Sequence, residues 1–326
     1  MKKKNIKIGI IGLGYVGLPL AIEFGKKYDV IGYDKNLQRV KDLKNRVDKN
    51  NDIKKSDFFK AKKLNFTNLD NNLNKINIFI ITVPTPINKN KKPDLNYIID
   101  CSQKISLYLK KKDIVILEST VYPGVTEEVI VPILEKNSKF SFNKDFFMGY
   151  SPERINPNDK KNNLVNIVKL VSGSNQKTLN FINKLYKSII KVGTYRVSSI
   201  KIAEAAKVIE NSQRDLNIAF VNELSIIFDK LNINTTEVLK AASTKWNFLD
   251  FKPGLVGGHC IGVDPYYLTY LAKKKKFNPK LISQARKINE DMANYHAGKI
   301  LQKLKKTKLN KILICGFSFK ANCSDF

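Results

Sequence analysis

An apolar run, residues 6 to 11, leads straight into Gly12-Leu13-Gly14-Tyr15-Val16-Gly17, and a helical stretch, Leu18 to Lys26, follows at once. This order constrains the fold more than any other feature of the chain. A strand that turns sharply into a helix needs a glycine at the turn. A second glycine lets the backbone approach a pyrophosphate, which then sits on the helix N-terminus. Tyr28 to Tyr33 reads as a second strand ending at Asp34, which lies 22 residues past Gly12. A carboxylate for the adenosine ribose is expected there. The unit is β-α-β and its ligand is a dinucleotide, held by Gly12, Gly14, Tyr15, Val16, Gly17 and Asp34. Asp34 would repel a 2′-phosphate, so the expected cofactor is NAD rather than NADP.

Further strands are expected at 76–83, 114–118, 146–150 and 165–172, with helical stretches between several of them. Alternation of this kind predicts an α/β fold, a Rossmann-like doubly wound and mostly parallel sheet. The texture changes near residue 198. Ser198 or Ser199 can cap a long helix over 200–231, apolar on more than one face and so suited to burial between domains or subunits. Helices at 235–242 and 280–306 follow, and Lys273 to Lys276 reads as a solvated turn. Residues 311–319 then read as a strand. The expected domains are 1–198, a dinucleotide-binding domain; 199–308, a central helical domain; and 309–326, only the first strand of a second Rossmann-like domain.

Composition excludes more than it selects. The formal net charge is +29, yet only six of the 58 basic residues are arginine. Specific reading of nucleic acid favours the planar arginine fork. Lysine spread along the whole chain instead marks a solvated surface that attracts anionic substrates. The four cysteines, Cys101, Cys260, Cys315 and Cys323, show no metal-site or disulfide spacing. Neither a signal peptide nor an apolar run of membrane-spanning length is visible. The expectation is a cytoplasmic chain with reduced thiols, no metal, no membrane and no specific nucleic-acid partner.

Four segments carry candidate chemistry. Val83-Pro84-Thr85-Pro86 and Glu118-Ser119-Thr120 each follow a strand at the carboxyl edge of the sheet, where such folds bind ligands. Thr120 suits either holding a water or capping a helix. Lys207 and Asn211 are four apart on the long helix and share a face, an arrangement suited to a developing oxyanion. Cys260 lies in Gly257-Gly258-His259-Cys260-Ile261-Gly262-Val263-Asp264-Pro265, a tight glycine-rich turn that can present a thiolate nucleophile. A hydride acceptor and a nucleophilic cysteine in one chain suggest oxidation of a carbon held covalently.

Residues Gly12 to Leu20, the segment around Thr120, Ser151-Pro152-Glu153-Arg154 and Gly257 to Pro265 occur in an order that resembles the nucleotide-sugar 6-dehydrogenases, the family of UDP-glucose and GDP-mannose dehydrogenases. Glu204 to Glu223 and Thr244 to Tyr270 are similar to the branch acting on UDP-N-acetylhexosamines, nearest the Vi-antigen-type UDP-N-acetylglucosamine dehydrogenases. UDP-N-acetylmannosamine and UDP-glucose are the alternative substrates. The resemblance implies a four-electron oxidation of a C6 alcohol to a uronate for surface polysaccharide, through a thiohemiacetal and a thioester on Cys260. It assigns Lys207 and Asn211 to the oxyanion, Asp264 to proton movements, and Thr120 and Glu153 to the water. Pro84, Thr85 and Thr120 join the NAD site. Glu153, Arg154, Lys207, Asn211, Arg214, Gly257 and Gly258 join the UDP-sugar site. It also implies a homodimer formed through the long helix.

The same resemblance implies a UDP-binding third domain beginning near Lys311. Gly316 to Lys320 resembles its first strand and loop, and Asp325 falls where the family has an Asp just before an Arg that helps complete the site. The expectation is therefore a truncated third domain, and the alternative reading is a remnant that binds NAD without turnover.

Overall fold

The computed structural model describes residues 6–155, 163–258, 260–307 and 311–315. His259, Cys323, Asp325 and the segment Gly316 to Lys320 lie outside the described residues. The chain divides into two compact units, one up to Lys207 and one from Val208.

The first unit begins β1 (Lys7–Ile11), α1 (Gly17–Gly25), β2 (Asp29–Tyr33), α2 (Leu37–Lys44), α3 (Lys55–Lys60), β3 (Leu64–Thr67) and β4 (Ile78–Ile81). It continues with α4 (Asn96–Ser106), β5 (Ile114–Leu117), α5 (Val131–Ser138), β6 (Phe147–Tyr150), β7 (Lys169–Gly173), α6 (Gln176–Lys187) and β8 (Thr194–Arg196). The sheet order is β3-β2-β1-β4-β5-β6-β7-β8. Strands β1 to β6 are parallel, and β7 pairs antiparallel to β6. Apolar residues in β1, β4 and β5 are buried along nearly their whole length, as in a sheet covered by helices on both faces. Ile8, Ile10, Ile80, Ile116, Phe24 and Tyr186 lie in the resulting core.

Register decides where the site falls. Ile11 pairs with Tyr33 on one side and Ile81 on the other, so β1, β2 and β4 end together at Gly12, Asp34 and Thr82. This is the point where strand order reverses, the crevice that binds ligands in doubly wound sheets. Two strands are not legible in the sequence. β3 is four residues set among Lys and Asn, and β8 is three residues with two of them exposed.

The long helix α7 (Ile200–Lys230) starts where expected, with the Ser199 hydroxyl accepting from the Ile202 N–H at 3.2 Å. Within the second unit follow α8 (Thr235–Ala242), α9 (Asp264–Lys274) and α10 (Lys280–Thr307). α8 is capped by Asn234, whose side chain accepts from the N–H groups of Thr236 and Glu237. α9 was not expected from the sequence, and it corrects the turn expected at Lys273 to Lys276: the glycine-rich segment runs directly into a helix with Pro265 in its first turn. Lys273 and Lys274 are its last turn, and Lys276 at φ +61° turns the chain away.

The described residues 311–315 carry no strand, which departs from the expected strand over 311–319. They have no ladder partner among the described residues, and an unpaired segment cannot satisfy the hydrogen bonds that define a strand. Among the described residues, no helix is long and apolar enough to cross a membrane.

Candidate active site

The glycine loop behaves as its sequence requires. Gly12 has φ +96°, and a Cβ at Gly17 would fall 1.8 Å from the Gly12 carbonyl oxygen. A Cβ at Gly14 would meet nothing within 4 Å, which leaves the open approach that a pyrophosphate needs. Three side chains brace the loop. The Thr82 hydroxyl donates to the carbonyls of Gly12 (2.7 Å) and Ile11 (3.0 Å). The Asp34 carboxylate accepts from the N–H of Leu13 (2.9 Å) and of Asn36 (2.9 Å). Arg39 donates from Nε to the Leu13 carbonyl at 3.0 Å and from Nη1 to Asp48 at 2.8 Å. Asp34 therefore shapes the loop as well as standing at the ribose position. Each carboxylate oxygen keeps a second lone pair for a hydroxyl. Thr82 and Arg39 were not singled out from the sequence, although an arginine in so lysine-rich a chain is a signal.

Beside Asp34 lies a hollow of about 590 Å³ lined by Tyr33, Lys35, Leu69, Asp70 and Lys104. Lys104 pairs with Asp70 at 2.7 Å, and Lys35 lies over the Tyr97 ring at 4.8 Å.

Two loops at the carboxyl edge are tied together. The Thr85 hydroxyl donates to the Thr120 carbonyl at 2.7 Å, and Ser119 Oγ to the Val83 carbonyl at 2.6 Å. Pro84 is exposed, while Thr85 and Thr120 are half-buried. The Thr120 loop enters a π-helical turn (Thr126–Ile130) whose free N–H groups go to Glu204 on α7, not to Thr120. Glu204 accepts from Gly124 N (2.6 Å), Thr126 N (2.9 Å) and Thr126 Oγ1 (2.6 Å). Burial pushes its carboxyl up to about 7 against those hydrogen bonds.

Glu153 stands just past β6, whose neighbour β5 ends at Glu118. One Glu153 oxygen accepts from the N–H of Arg154 (2.6 Å) and Ile155 (2.7 Å), and the other from Lys169 Nζ at 2.8 Å. Lys169 also donates to Glu118 at 2.6 Å, and the Tyr186 hydroxyl donates to the other Glu118 oxygen. Sequence reasoning named Glu153 but did not join it to Lys169, Glu118 or Tyr186. Arg154 turns its guanidinium to the Val168 carbonyl at 2.9 Å.

In the second unit, Cys260 is exposed at the head of α9. Its carbonyl accepts from the N–H of Val263 (3.1 Å) and Asp264 (2.9 Å), so it begins the helical turn, and the positive helix end favours negative charge there. Asp264 is buried and accepts from the Asn211 amide at 2.6 Å. Lys207 and Asn211, one turn apart on α7, are both buried. Gly257 is exposed, Gly258 has φ +81°, and Arg214 is exposed. Cys101, in contrast to Cys260, is buried, and burial pushes its thiol up to about 12.

Fold and glycine loop together define an NAD-dependent oxidoreductase of the doubly wound class. The family model described as UDP-glucose/GDP-mannose dehydrogenase family, NAD binding domain, matches residues 6–190, and that family's central domain matches residues 201–291. The chain belongs to the UDP-glucose/GDP-mannose dehydrogenase family, whose members oxidise nucleotide sugars in two NAD-dependent steps. It is 53% identical over 325 residues to a UDP-N-acetyl-D-glucosamine 6-dehydrogenase of Salmonella typhi, covering 98% of this chain and 76% of that protein. A protein of the same name from Pseudomonas aeruginosa is 51% identical, covering 99% of this chain and 77% of that one. Among solved structures, a UDP-D-ManNAc dehydrogenase from Pyrococcus horikoshii superposes with TM-score 0.87 at 33% identity, covering 93% of this chain and 73% of that one.

Proposed function

We propose that the chain oxidises the C6 alcohol of a UDP-N-acetylhexosamine, UDP-N-acetylglucosamine first, to the uronate. The observation that carries the chemistry is the buried Asn211–Asp264 hydrogen bond, one helical turn beyond Cys260. The substrate rests on the two relatives at 53% and 51% identity.

When bound, NAD would supply the hydride acceptor, a separate molecule for each of the two oxidations. The Gly12 to Gly17 loop, Asp34, Pro84, Thr85 and Thr120 would hold it. Cys260 adds its thiolate to the C6 aldehyde carbon; a C–S bond forms and the carbonyl electron pair moves to oxygen. Lys207 and Asn211 offer N–H donors to that oxyanion, and Asp264 fixes the Asn211 amide and exchanges the proton. After the second oxidation the carbon is a thioester. The resemblance assigns Glu153 and Thr120 to the water whose attack breaks the C–S bond and returns the Cys260 thiolate. Covalent capture keeps the aldehyde from escaping and divides a hard step into easier ones. Arg154, Arg214, Gly257 and Gly258 complete the assigned UDP-sugar site.

A dimer through α7 fits this reading. Exposed Ile202, Ile209, Phe220 and Ile227 recur at intervals of seven, eleven and seven residues, which puts them on one face of the helix. We keep the domain limits 1–198, 199–308 and 309–326, supported by the family matches over 6–190 and 201–291. An exposed Cys260 that must stay a thiol fits the cytoplasm.

The test is a substrate panel. The reading expects kcat/KM for UDP-N-acetylglucosamine or its galacto epimer to exceed that for UDP-N-acetylmannosamine and UDP-glucose by at least about tenfold, the size of one well-placed polar contact. A preference for UDP-glucose overturns it.

A further inference from the structure

We propose that Lys169 is a positioning residue that holds and aims the Glu153 carboxylate, and that Glu118 and Tyr186 behind it tune that hold. The proposal rests on the role given to Glu153 above.

Four groups from four elements meet here. Glu118 follows β5, Glu153 follows β6, Lys169 opens β7 and Tyr186 lies on α6. All are buried: the side chains of Lys169 and Glu118 are 3% and 0% exposed. Arg154 donates to the Val168 carbonyl. Two carboxylates and one ammonium leave one net negative charge in the cluster, and a buried carboxylate without compensation is costly.

The two carboxyls are held differently. Glu153 receives three donors, Lys169 and two backbone N–H groups. Glu118 receives two, Lys169 and Tyr186. Burial pushes the Glu118 carboxyl up against the pull of Lys169. Burial also opposes the Lys169 ammonium, but Glu118 and Glu153 outweigh it and keep the group charged. Glu153 and Glu118 thus compete for the Lys169 ammonium.

The competition gives opposite signs to two substitutions. In the full chain, Lys169→Met removes the opposing charge, so the acid limb of the pH–rate profile for uronate formation moves up by about one unit or more. Glu118→Gln leaves Lys169 wholly to Glu153, so the limb moves down. Lys169→Arg restores the limb to within about half a unit of the parent, since charge and reach are kept. A merely structural tie between strands lowers the melting temperature or the amplitude and leaves the limb in place. That result in Glu118→Gln, even if Lys169→Met fails to fold, overturns the proposal, and so does a limb in Lys169→Arg displaced as far as in Lys169→Met. Glu153→Gln separates the two readings. Undiminished uronate formation there removes Glu153 from the reaction, whereas loss of uronate formation in Glu153→Gln with unmoved limbs in the other variants refutes only the role of Lys169.

Discussion

Asn222 holds the backbone of Gly254 from both sides. Its carbonyl accepts from the Gly254 N–H at 2.8 Å, and its amide donates to the Gly254 carbonyl at 3.0 Å. The same amide donates to Asn289 on α10, and Asn289 and Arg286 both donate to Asp215 on α7. A buried chain of polar contacts thus fixes the start of the segment that leads to Cys260. Asn222→Ala leaves buried donors and acceptors unsatisfied and is expected to cost roughly 2–4 kcal/mol. Chemical denaturation measures it, and kcat should fall more than KM rises, because the loss misplaces the nucleophile.

Gly17→Ala should abolish NAD binding. The added Cβ would lie 1.8 Å from the Gly12 carbonyl oxygen and 2.5 Å from Thr82 Oγ1, so α1 and the loop must move apart. Titration with NAD should give at least about a hundredfold loss in affinity, some 3 kcal/mol. Near-parental affinity would contradict the placing of the dinucleotide on this loop.

Glu204 predicts a pH dependence of stability. Its carboxyl titrates near 7 when folded, against an ordinary 4.5. Between those values the folded chain keeps a proton that the unfolded chain has released. The contribution of Glu204 to stability therefore falls as pH rises from about 4.5 to about 7, then stays level. Asp113, pushed by burial up to about 7, and Asp52, pushed by burial up to about 6, act in the same direction. Glu204→Gln should remove its share, up to about 3 kcal/mol, and flatten the melting-temperature curve over that window. An unchanged slope would show that Glu204 does not titrate there.

The α7 stripe predicts that Phe220→Glu gives a monomer. Phe220 is 54% exposed at the middle of the stripe, and a charge there opposes apolar burial against a partner. Sedimentation should show the parent as a dimer and the variant at half its mass.

What the sequence revealed follows from physics that local pattern carries. The strand–glycine–helix order at Gly12, the Asp34 position and the α8 limits were legible because turns, caps and apolar runs are local. β3 and β8 were hidden by their shortness and polarity. α9 was hidden because Asp264 and Pro265 follow a glycine-rich loop without a break. Glu118 and Lys169 look like ordinary charges at strand ends. Only the pairing of β5, β6 and β7, a long-range event, sets them against Glu153. Asn222 and Gly254 are 32 residues apart, and no spacing rule joins them.

The central claim is covalent four-electron oxidation at Cys260, and counting NADH against UDP-N-acetylglucosamine consumed tests it most directly. The account predicts two NADH per sugar for the parent chain, and no uronate from Cys260→Ser. One NADH per sugar with free aldehyde, or uronate formed without Cys260, would contradict it.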